Sequence, residues 1–259
     1  MDNAILITGF NGEIGRQTLL SLSKKEIPII ALDINESDIK YNNVIYIKDS
    51  ILNQNVITSI FNNYNIIEVY HFAALLSQSA NNDPELAHKV NEEGSKLIIN
   101  FAMSHGIKNE SFVKIFFPSS IAVYGPRKLK NAKEPDIIKP QTIYGCNKLA
   151  IEQFGTQRHE ESIELGFGID FRCLRFPGII SPYTIPFGGT TDFAPQMLHA
   201  AYNNERYTCK VDSTTTLPFL GIKNAVEAIV QIMSIQTIDS KLRTFNVQEM
   251  NLNPKEIIA

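Results

Sequence analysis

The chain has 259 residues, of which 44% are hydrophobic and 20% are charged, and its formal net charge is -3. This composition is typical of a soluble globular protein and excludes an intrinsically disordered chain. The slightly acidic balance excludes most nucleic-acid-binding proteins, because binding to nucleic acid normally needs a basic face. The length allows one large domain or two small ones.

The cysteines and histidines show no pattern of a disulfide framework or a metal site. Cys146, Cys173 and Cys209 are scattered, which favours a reducing compartment, and the five histidines lack zinc-site spacing, so no metal is expected. The N-terminus has no basic leader, and no stretch approaches the roughly 20 apolar residues that cross a bilayer. We therefore expect a cytoplasmic protein without a membrane partner.

Short apolar runs alternate with helical patterns along the chain. Strands are predicted over residues 4–7, 27–32, 44–47, 66–71 and 113–117, and helices over 14–22, 56–64 and 84–105, with Gly106 just past the last of these. A helix after Gln141, a strand over 168–175, helices over 194–203 and 223–234 and a strand over 243–247 follow. This alternation predicts an α/β fold, a Rossmann doubly wound parallel sheet with a small C-terminal substrate-binding region.

The domain boundary is predicted near Gly178, where a stretch rich in proline and glycine interrupts the alternation. Residues 1–178 are expected to form the Rossmann domain. Residues 179–259 are expected to form the substrate-binding region, with the strand near 243–247 returning to the core.

A glycine-rich segment, from Gly9 to Gly15, follows the first predicted strand and opens the first predicted helix. Its G-x-x-G-x-x-G spacing allows a tight turn and close approach of a pyrophosphate, which the N–H groups at the helix start would face. Asp33 ends the second predicted strand, where a carboxylate accepts hydrogen bonds from the adenosine ribose and repels a 2′-phosphate. The pattern predicts NAD, in preference to NADP, as the cofactor.

A Y-x-x-x-K pair, Tyr144 and Lys148, lies on a predicted helix with both side chains on one face. A nearby ammonium is expected to lower the pKa of the tyrosine from about 10, so that it removes a hydroxyl proton near neutral pH. Ser120 ends the fifth predicted strand, at the edge where open α/β sheets bind ligands. Ser120, Tyr144 and Lys148 are the candidate catalytic residues.

In this order and context, the motifs resemble those of the extended short-chain dehydrogenase/reductases, the NAD-dependent epimerase/dehydratase family. His71-Phe-Ala-Ala74, the helix residue Asn91 and Ser119-Ser-Ile-Ala-Val-Tyr-Gly125 carry further parts of the resemblance. The family assigns the lysine to the nicotinamide ribose and an aspartate to the adenine. The resemblance implies cofactor contacts at Gly9, Asn11, Gly12, Glu13, Ile14, Gly15, Asp33, Asp49, Ile51, Phe72, Ala73, Ala74, Asn91, Tyr144, Lys148, Pro177 and Gly178.

Nearly the whole chain is similar to the short-chain-type L-threonine 3-dehydrogenases, most specifically in Gly188-Gly-Thr-Thr-Asp-Phe-Ala194. The similarity implies NAD-dependent oxidation of a small hydroxy amino acid, L-threonine to 2-amino-3-oxobutyrate. Tyr144 would take the hydroxyl proton while Ser120 holds the oxygen. The implied substrate contacts are Ser77, Ser119, Thr190 and Thr191.

Two alternatives stay open: a sugar-nucleotide epimerase or dehydratase on the same scaffold, and an NAD-binding protein with little turnover. Gly221 stands where the family usually has an aromatic residue, and Asn224 where it has a carboxylate. Family members continue beyond the point that corresponds to Ala259, so the substrate-binding region is expected to be truncated. The family often dimerises through the helices around Asn91 and Tyr144, which makes a homodimer an expectation of the resemblance.

Overall fold

The apolar runs form the strands of two sheets in a computed structural model, which describes residues 2–125, 132–134, 138–183, 189, 191–238 and 240–258. The strands are β1 (Asn3–Thr8), β2 (Ile29–Asp33), β3 (Val44–Lys48), β4 (Asn65–His71), β5 (Phe112–Ser120), β6 (Gly168–Phe176), β7 (Gly178–Ile180), β8 (Leu217–Gly221), β9 (Thr244–Asn246) and β10 (Met250–Leu252). The larger sheet has seven strands in the order β3-β2-β1-β4-β5-β6-β9. Its neighbouring strands pair in parallel.

The order of the larger sheet steps outward from β1 in both directions, as in a Rossmann fold. The helices are α1 (Glu13–Leu22), α2 (Gln54–Asn63), α3 (Ser77–Asn82), α4 (Pro84–Ala87), α5 (Ser95–Lys108), α6 (Ile143–Leu165), α7 (Phe193–Tyr202), α8 (Ile222–Ser234) and α9 (Pro254–Ile258). Apolar side chains of α1 and α8 pack on one face of the sheet, and those of α2, α5 and α6 pack on the other. The predicted fold class is therefore confirmed.

One predicted helix end is wrong. The helix predicted to end near His105 continues to Lys108, so Gly106 lies inside α5. A Cβ added at Gly106 would come within 2.0 Å of the Gly168 carbonyl oxygen. The glycine therefore allows the helix to approach the start of β6, whereas the prediction had assigned it to a helix cap.

The smaller sheet has the order β10-β8-β7 and begins directly after β6. Phe193 of α7 and Phe219 of β8 form a small apolar cluster beside it. Because α8 and β9 pack against the larger sheet, residues after 178 contribute to both sheets. No helix in the described part of the chain is long and apolar enough to cross a membrane.

Candidate functional site

The candidate residues gather at one edge of the larger sheet, where its parallel strands end. The glycine segment follows β1, Asp33 ends β2, Phe72 follows β4, Ser120 ends β5 and Pro177 follows β6. Carboxyl ends of parallel strands share an edge, and open α/β sheets bind their ligands there. The fold thus brings these five candidate positions to one edge of the sheet, the candidate cleft.

The three glycines of the first turn have different structural roles. Gly9 has a φ of +69°, and an added Cβ there would lie 2.3 Å from the Ala73 backbone nitrogen. An added Cβ at Gly15 would lie 2.4 Å from the Gly9 oxygen. At Gly12, however, an added Cβ would lie 3.3 Å from the Gly9 oxygen and would have no other atom of the described residues beyond its chain neighbours within 4 Å. The fold itself requires Gly9 and Gly15, while Gly12 leaves room for a group that approaches from outside, such as a pyrophosphate.

A Gly12→Ala variant is expected to fold as the parent chain does but to bind NAD at least about tenfold more weakly, because the methyl group occupies space for the pyrophosphate. Gly15→Ala is the matched control, and it is expected to lower the free energy of unfolding. Calorimetric NAD titration and urea unfolding measure the two effects. Equal NAD affinity in Gly12→Ala and the parent would contradict this placement of the phosphates.

The Asp33 carboxylate is fixed by two backbone hydrogen bonds and can accept further ones. Its Oδ2 accepts from the Asn11 backbone N–H at 3.0 Å, and its Oδ1 accepts from the Asn35 N–H at 2.9 Å. Each carboxylate oxygen has two lone-pair sites, so each retains one for a ribose hydroxyl. The Asn11 side chain donates to the carbonyls of Asn35 and Glu36, which fixes the loop that carries the aspartate. This geometry fits NAD.

An Asp33→Asn variant is expected to bind NAD about 10- to 100-fold more weakly, because hydrogen bonds to a charged acceptor contribute about 1.5–3 kcal/mol. The affinity ratio of NAD to NADP is expected to fall by at least about tenfold, since repulsion of the 2′-phosphate is lost. Asp38→Asn is the control, because Asp38 lies in the same loop with 71% of its side chain exposed. An unchanged NAD/NADP ratio in Asp33→Asn would refute the assignment.

At the adenine end of the predicted cofactor site, the side chains of Asp49 and Ile51 both contact other parts of the protein. Ile51 is 5% exposed and packs in the core beside Gly94, so its side chain does not face the cleft. Asp49 accepts hydrogen bonds from Ser50 and Asn53. Ile34 directly follows Asp33 and is 64% exposed, so an apolar side chain lies in solvent next to the candidate ribose-binding carboxylate.

Asn91 also has a different role from the predicted one. It lies in a π-helical segment, His88–Gly94, between α4 and α5. Its Oδ1 accepts from the Leu75 N–H at 2.7 Å and its Nδ2 donates to the Leu75 oxygen at 2.9 Å. The amide is thereby committed to the backbone just after Ala73 and Ala74. Asn91 positions this segment of the cofactor site and does not itself reach into the cleft.

A buried hydrogen-bond chain supports the same segment. His71 Nδ1 lies 2.6 Å from Thr8 Oγ1, and Nε2 lies 2.8 Å from Ser95 Oγ. Since Ser95 donates to the Asn91 carbonyl, it accepts from His71 Nε2, and Thr8 donates to Nδ1. Burial lowers the pKa of His71 to about 3, so the ring is neutral in this single tautomer. The chain joins the end of β1 to the start of α5.

The three candidate catalytic residues come from β5 and α6. The Ser120 side chain accepts from the Ala122 N–H and caps a short 3₁₀ helix, Ile121–Tyr124. The Lys148 Nζ donates to the Pro118 oxygen at 2.7 Å and lies 5.5 Å from the centre of the Tyr144 ring. Tyr144 and Lys148 therefore share one face of α6, as predicted, beside the end of β5.

The expected lowering of the tyrosine pKa is wrong for this arrangement. Burial raises the pKa of Tyr144 to about 12, and it lowers the pKa of Lys148 to about 8. Desolvation disfavours the charged form of each group. The Lys148 ammonium is held by the Pro118 carbonyl and over the Phe117 ring, and burial outweighs its effect on the phenol.

Of the four residues predicted to contact the substrate, Thr191 lies against β7, the strand that begins with the candidate cofactor residue Gly178. A Cβ added at Gly178 would lie 2.7 Å from Thr191 Cβ, so Thr191 packs directly on β7. Ser77 begins α3 and is half-buried, and Thr190 lies outside the described residues. Ser119 is 2% exposed and donates to Glu152, so its predicted contact with substrate is wrong. Successive strand residues point to opposite faces, so Ser119 faces away from the side that Ser120 faces.

The chain is similar in sequence and fold to proteins of known name. The chain is 33% identical over 258 residues to the mitochondrial L-threonine 3-dehydrogenase of Bos taurus, covering 98% of this chain and 66% of the relative. It is 32% identical to an uncharacterised epimerase/dehydratase of Staphylococcus haemolyticus, with 98% of this chain and 79% of the relative covered. A solved structure of a monomeric L-threonine 3-dehydrogenase from a metagenome superposes with a TM-score of 0.85 at 32% identity. That comparison covers 98% of this chain and 80% of the other.

One protein family matches most of the chain. The NAD-dependent epimerase/dehydratase family matches residues 5–247, which include the glycine turn, the serine strand and the Y-x-x-x-K pair. The chain spans 66% of the length of the bovine and porcine relatives. On the family match and the similarity along the chain, it belongs to the NAD-dependent epimerase/dehydratase family.

Proposed function

We propose that this chain is an NAD-dependent oxidoreductase that oxidises the secondary alcohol of a small hydroxy amino acid, L-threonine, to 2-amino-3-oxobutyrate. The observation that carries the proposal is the contact between Thr191 and Gly178. Through it, Thr191, a residue of the segment most similar to threonine dehydrogenases, lies against β7, the strand that directly follows Pro177. The names of the bovine and metagenomic relatives support the same substrate.

The chain's own residues supply the binding and proton-transfer groups. The turn around Gly12 and the carboxylate of Asp33 would hold NAD, which when bound accepts a hydride from the alcohol carbon. The Ser120 hydroxyl would hold the substrate oxygen, and the Tyr144 phenolate would take the hydroxyl proton. The Lys148 ammonium would stabilise the phenolate charge and donate to the nicotinamide ribose. Catalysis thus needs an ionised tyrosine beside a protonated lysine.

The pKa directions give this pair a defined pH dependence. With pKa values of about 12 for Tyr144 and about 8 for Lys148, the phenolate–ammonium form increases with pH up to the pKa of the lysine. Above that pH, gain of phenolate is cancelled by loss of ammonium. We expect kcat/KM to rise about tenfold per pH unit below pH 8 and then to level off. A profile that is flat from pH 6 to 8, measured by initial rates, would contradict this protonation state.

An assay with purified chain, NAD and L-threonine tests the proposal, with NADH absorbance as the readout. We expect NADH formation with L-threonine and none with a UDP-sugar as the only added substrate. The stretch from Pro177 to Asp192 contains no arginine or lysine to bind a diphosphate, which favours the amino acid over a sugar nucleotide. Absence of NADH formation while NAD binding is intact would overturn the threonine reaction.

The surface of α5 and α6 concerns the oligomeric state of the chain. On the surface of α5 and α6, Lys96 and Arg158 lie over the Phe154 ring, so charged groups cover the apolar side chain. The homodimer that the family resemblance implies stays a prediction. Sedimentation velocity at two protein concentrations distinguishes a dimer from a monomer.

A further inference from the structure

A buried ion pair lies directly behind the catalytic groups. The Arg175 Nε donates to Glu152 Oε1 at 2.9 Å, and NH2 donates to Oε2 at 2.7 Å, so the contact is bidentate. Both side chains are 4% exposed. A bidentate arginine–carboxylate pair combines charge with fixed geometry. Neither residue has a part in the mechanism described above.

The ion pair touches the strand that carries the catalytic serine. Arg175 of β6 lies opposite Ser119 of β5 in the sheet register, and the Ser119 hydroxyl donates to Glu152. Ser119 is therefore fixed by its neighbours on β6 and α6. Because adjacent strand residues point to opposite faces, fixing Ser119 on one face sets Ser120 on the other.

The ion pair also presents its negative end to the catalytic lysine. Glu152 lies one helical turn after Lys148 on α6, and residues four apart on a helix are neighbours. Burial lowers the pKa of Lys148, while Cys173 on β6 and the Glu152 carboxylate act against that lowering. Burial also raises the pKa of the Cys173 thiol far above its usual range, so the thiol stays neutral. Among the described residues, the other titratable groups around this ammonium are Tyr144 on α6 and His71 on β4, so Glu152 is the negatively charged member of this set.

The ion pair reaches the far edge of the sheet as well. The Arg175 NH1 donates to the Tyr124 hydroxyl at 2.7 Å, which in turn donates to Asn246 Oδ1 at 2.8 Å. Asn246 belongs to β9, the strand that returns to the sheet from the C-terminal part of the chain. One network therefore connects α6, β5, β6 and β9 behind the cleft.

We propose that Glu152 and Arg175 are positioning residues for the catalytic groups: the pair fixes Ser119 so that Ser120 faces the cleft, and its carboxylate keeps Lys148 charged. The proposal rests on the oxidoreductase function proposed above. It assigns Ser119 to the network and removes it from the substrate site.

The pH profile of a Glu152→Gln variant tests the electrostatic part. Glutamine keeps the shape and can bond Ser119 and Arg175, but it lacks the charge. We expect the pKa of Lys148 to fall by about one unit, since an opposite charge nearby shifts a pKa by about 1–3 units. The break in kcat/KM then moves from about pH 8 to about pH 7. The variant should match the parent well below pH 7 and be about tenfold slower above pH 8.

Glu152→Asp is the control, because it keeps the charge, and its break is expected to stay near pH 8. An unmoved break in Glu152→Gln, or an equal shift in both variants, would overturn the electrostatic role. The nitrogen chemical shift of Lys148 in lysine-¹⁵N-labelled protein, assigned by its loss in Lys148→Met, reports the same titration without turnover. If the parent chain does not oxidise threonine, the proposed function fails, while this titration still decides the role of Glu152.

A Ser119→Ala variant keeps the test decisive if Glu152→Gln does not fold. As a network residue, Ser119 should affect kcat by less than about tenfold and leave the KM for the hydroxy amino acid and the Kd for NAD within about twofold. A rise of tenfold or more in that KM, with kcat unchanged, would place Ser119 in the substrate site and overturn its assignment to the network.

Discussion

A Tyr144→Phe variant is expected to lose about 10²- to 10⁴-fold in kcat, because the ring is retained while the group that removes the hydroxyl proton is absent. NAD affinity should stay within about twofold of the parent, since the turn around Gly12 and the Asp33 carboxylate are unchanged. Initial rates of NADH formation and calorimetric NAD titration measure the two quantities. This separation of turnover from binding is the most direct test of the candidate catalytic site.

The same variant separates an enzyme from a protein that only binds NAD. If the parent chain has only a trace of NADH formation and Tyr144→Phe retains all of it, Tyr144 is not a catalytic residue, and the chain acts as an NAD-binding protein. Cys146→Ser is the matched control, because Cys146 lies on the same helix turn but is exposed. That substitution is expected to leave both kcat and NAD affinity as in the parent.

Local patterns were sufficient to predict the sheet and the edge at which the candidate residues lie. The first six strands of the larger sheet are rich in apolar residues, and motif residues stand at or just after their ends, as Gly9 follows β1 and Ser120 ends β5. Parallel strands bring their carboxyl ends to one edge, so the position of a residue just after a strand predicts its place in the cleft. The fold class and family could be predicted from sequence for this reason.

The errors concern interactions between distant parts of the chain. Nothing around Ser119 in the sequence shows that Glu152 accepts its hydroxyl, and nothing around Asn91 shows that Leu75 occupies its amide. The shift in the pKa of Tyr144 depends on how far the folded chain buries the phenol, which the spacing of the Y-x-x-x-K pair does not contain. The sequence predicts which groups meet, but their remaining hydrogen-bonding capacity depends on packing.

Arg172 is expected to be among the most costly residues to replace. It is fully buried, and its guanidinium donates to the carbonyls of Ile232, Ile235 and Gln236 at the C-terminal end of α8. It also pairs with Asp170. Those carbonyls have no partner within the helix, and a cation at this end also interacts favourably with the helix dipole. The fully buried Arg172 therefore joins α8 to β6 by charge-assisted hydrogen bonds.

An Arg172→Met variant is expected to lower the free energy of unfolding by about 3–5 kcal/mol, because it removes the Arg172 hydrogen bonds to the Ile232 and Gln236 carbonyls and one of the two arginines that pair with Asp170. Lys114→Met is the matched control. Its Nζ donates to the Met233 and Ile235 carbonyls at 3.1 and 3.2 Å, but the lysine is partly exposed, so water replaces it and the loss should be about 1 kcal/mol. Urea unfolding measures the midpoints of both variants.

Equal losses in the free energy of unfolding would show that the deeper burial of Arg172 does not make it more stabilising than Lys114. A small loss in Arg172→Met would instead mean that α8 is held mainly by the apolar contacts of residues such as Ile229, which pack on the same face of the sheet.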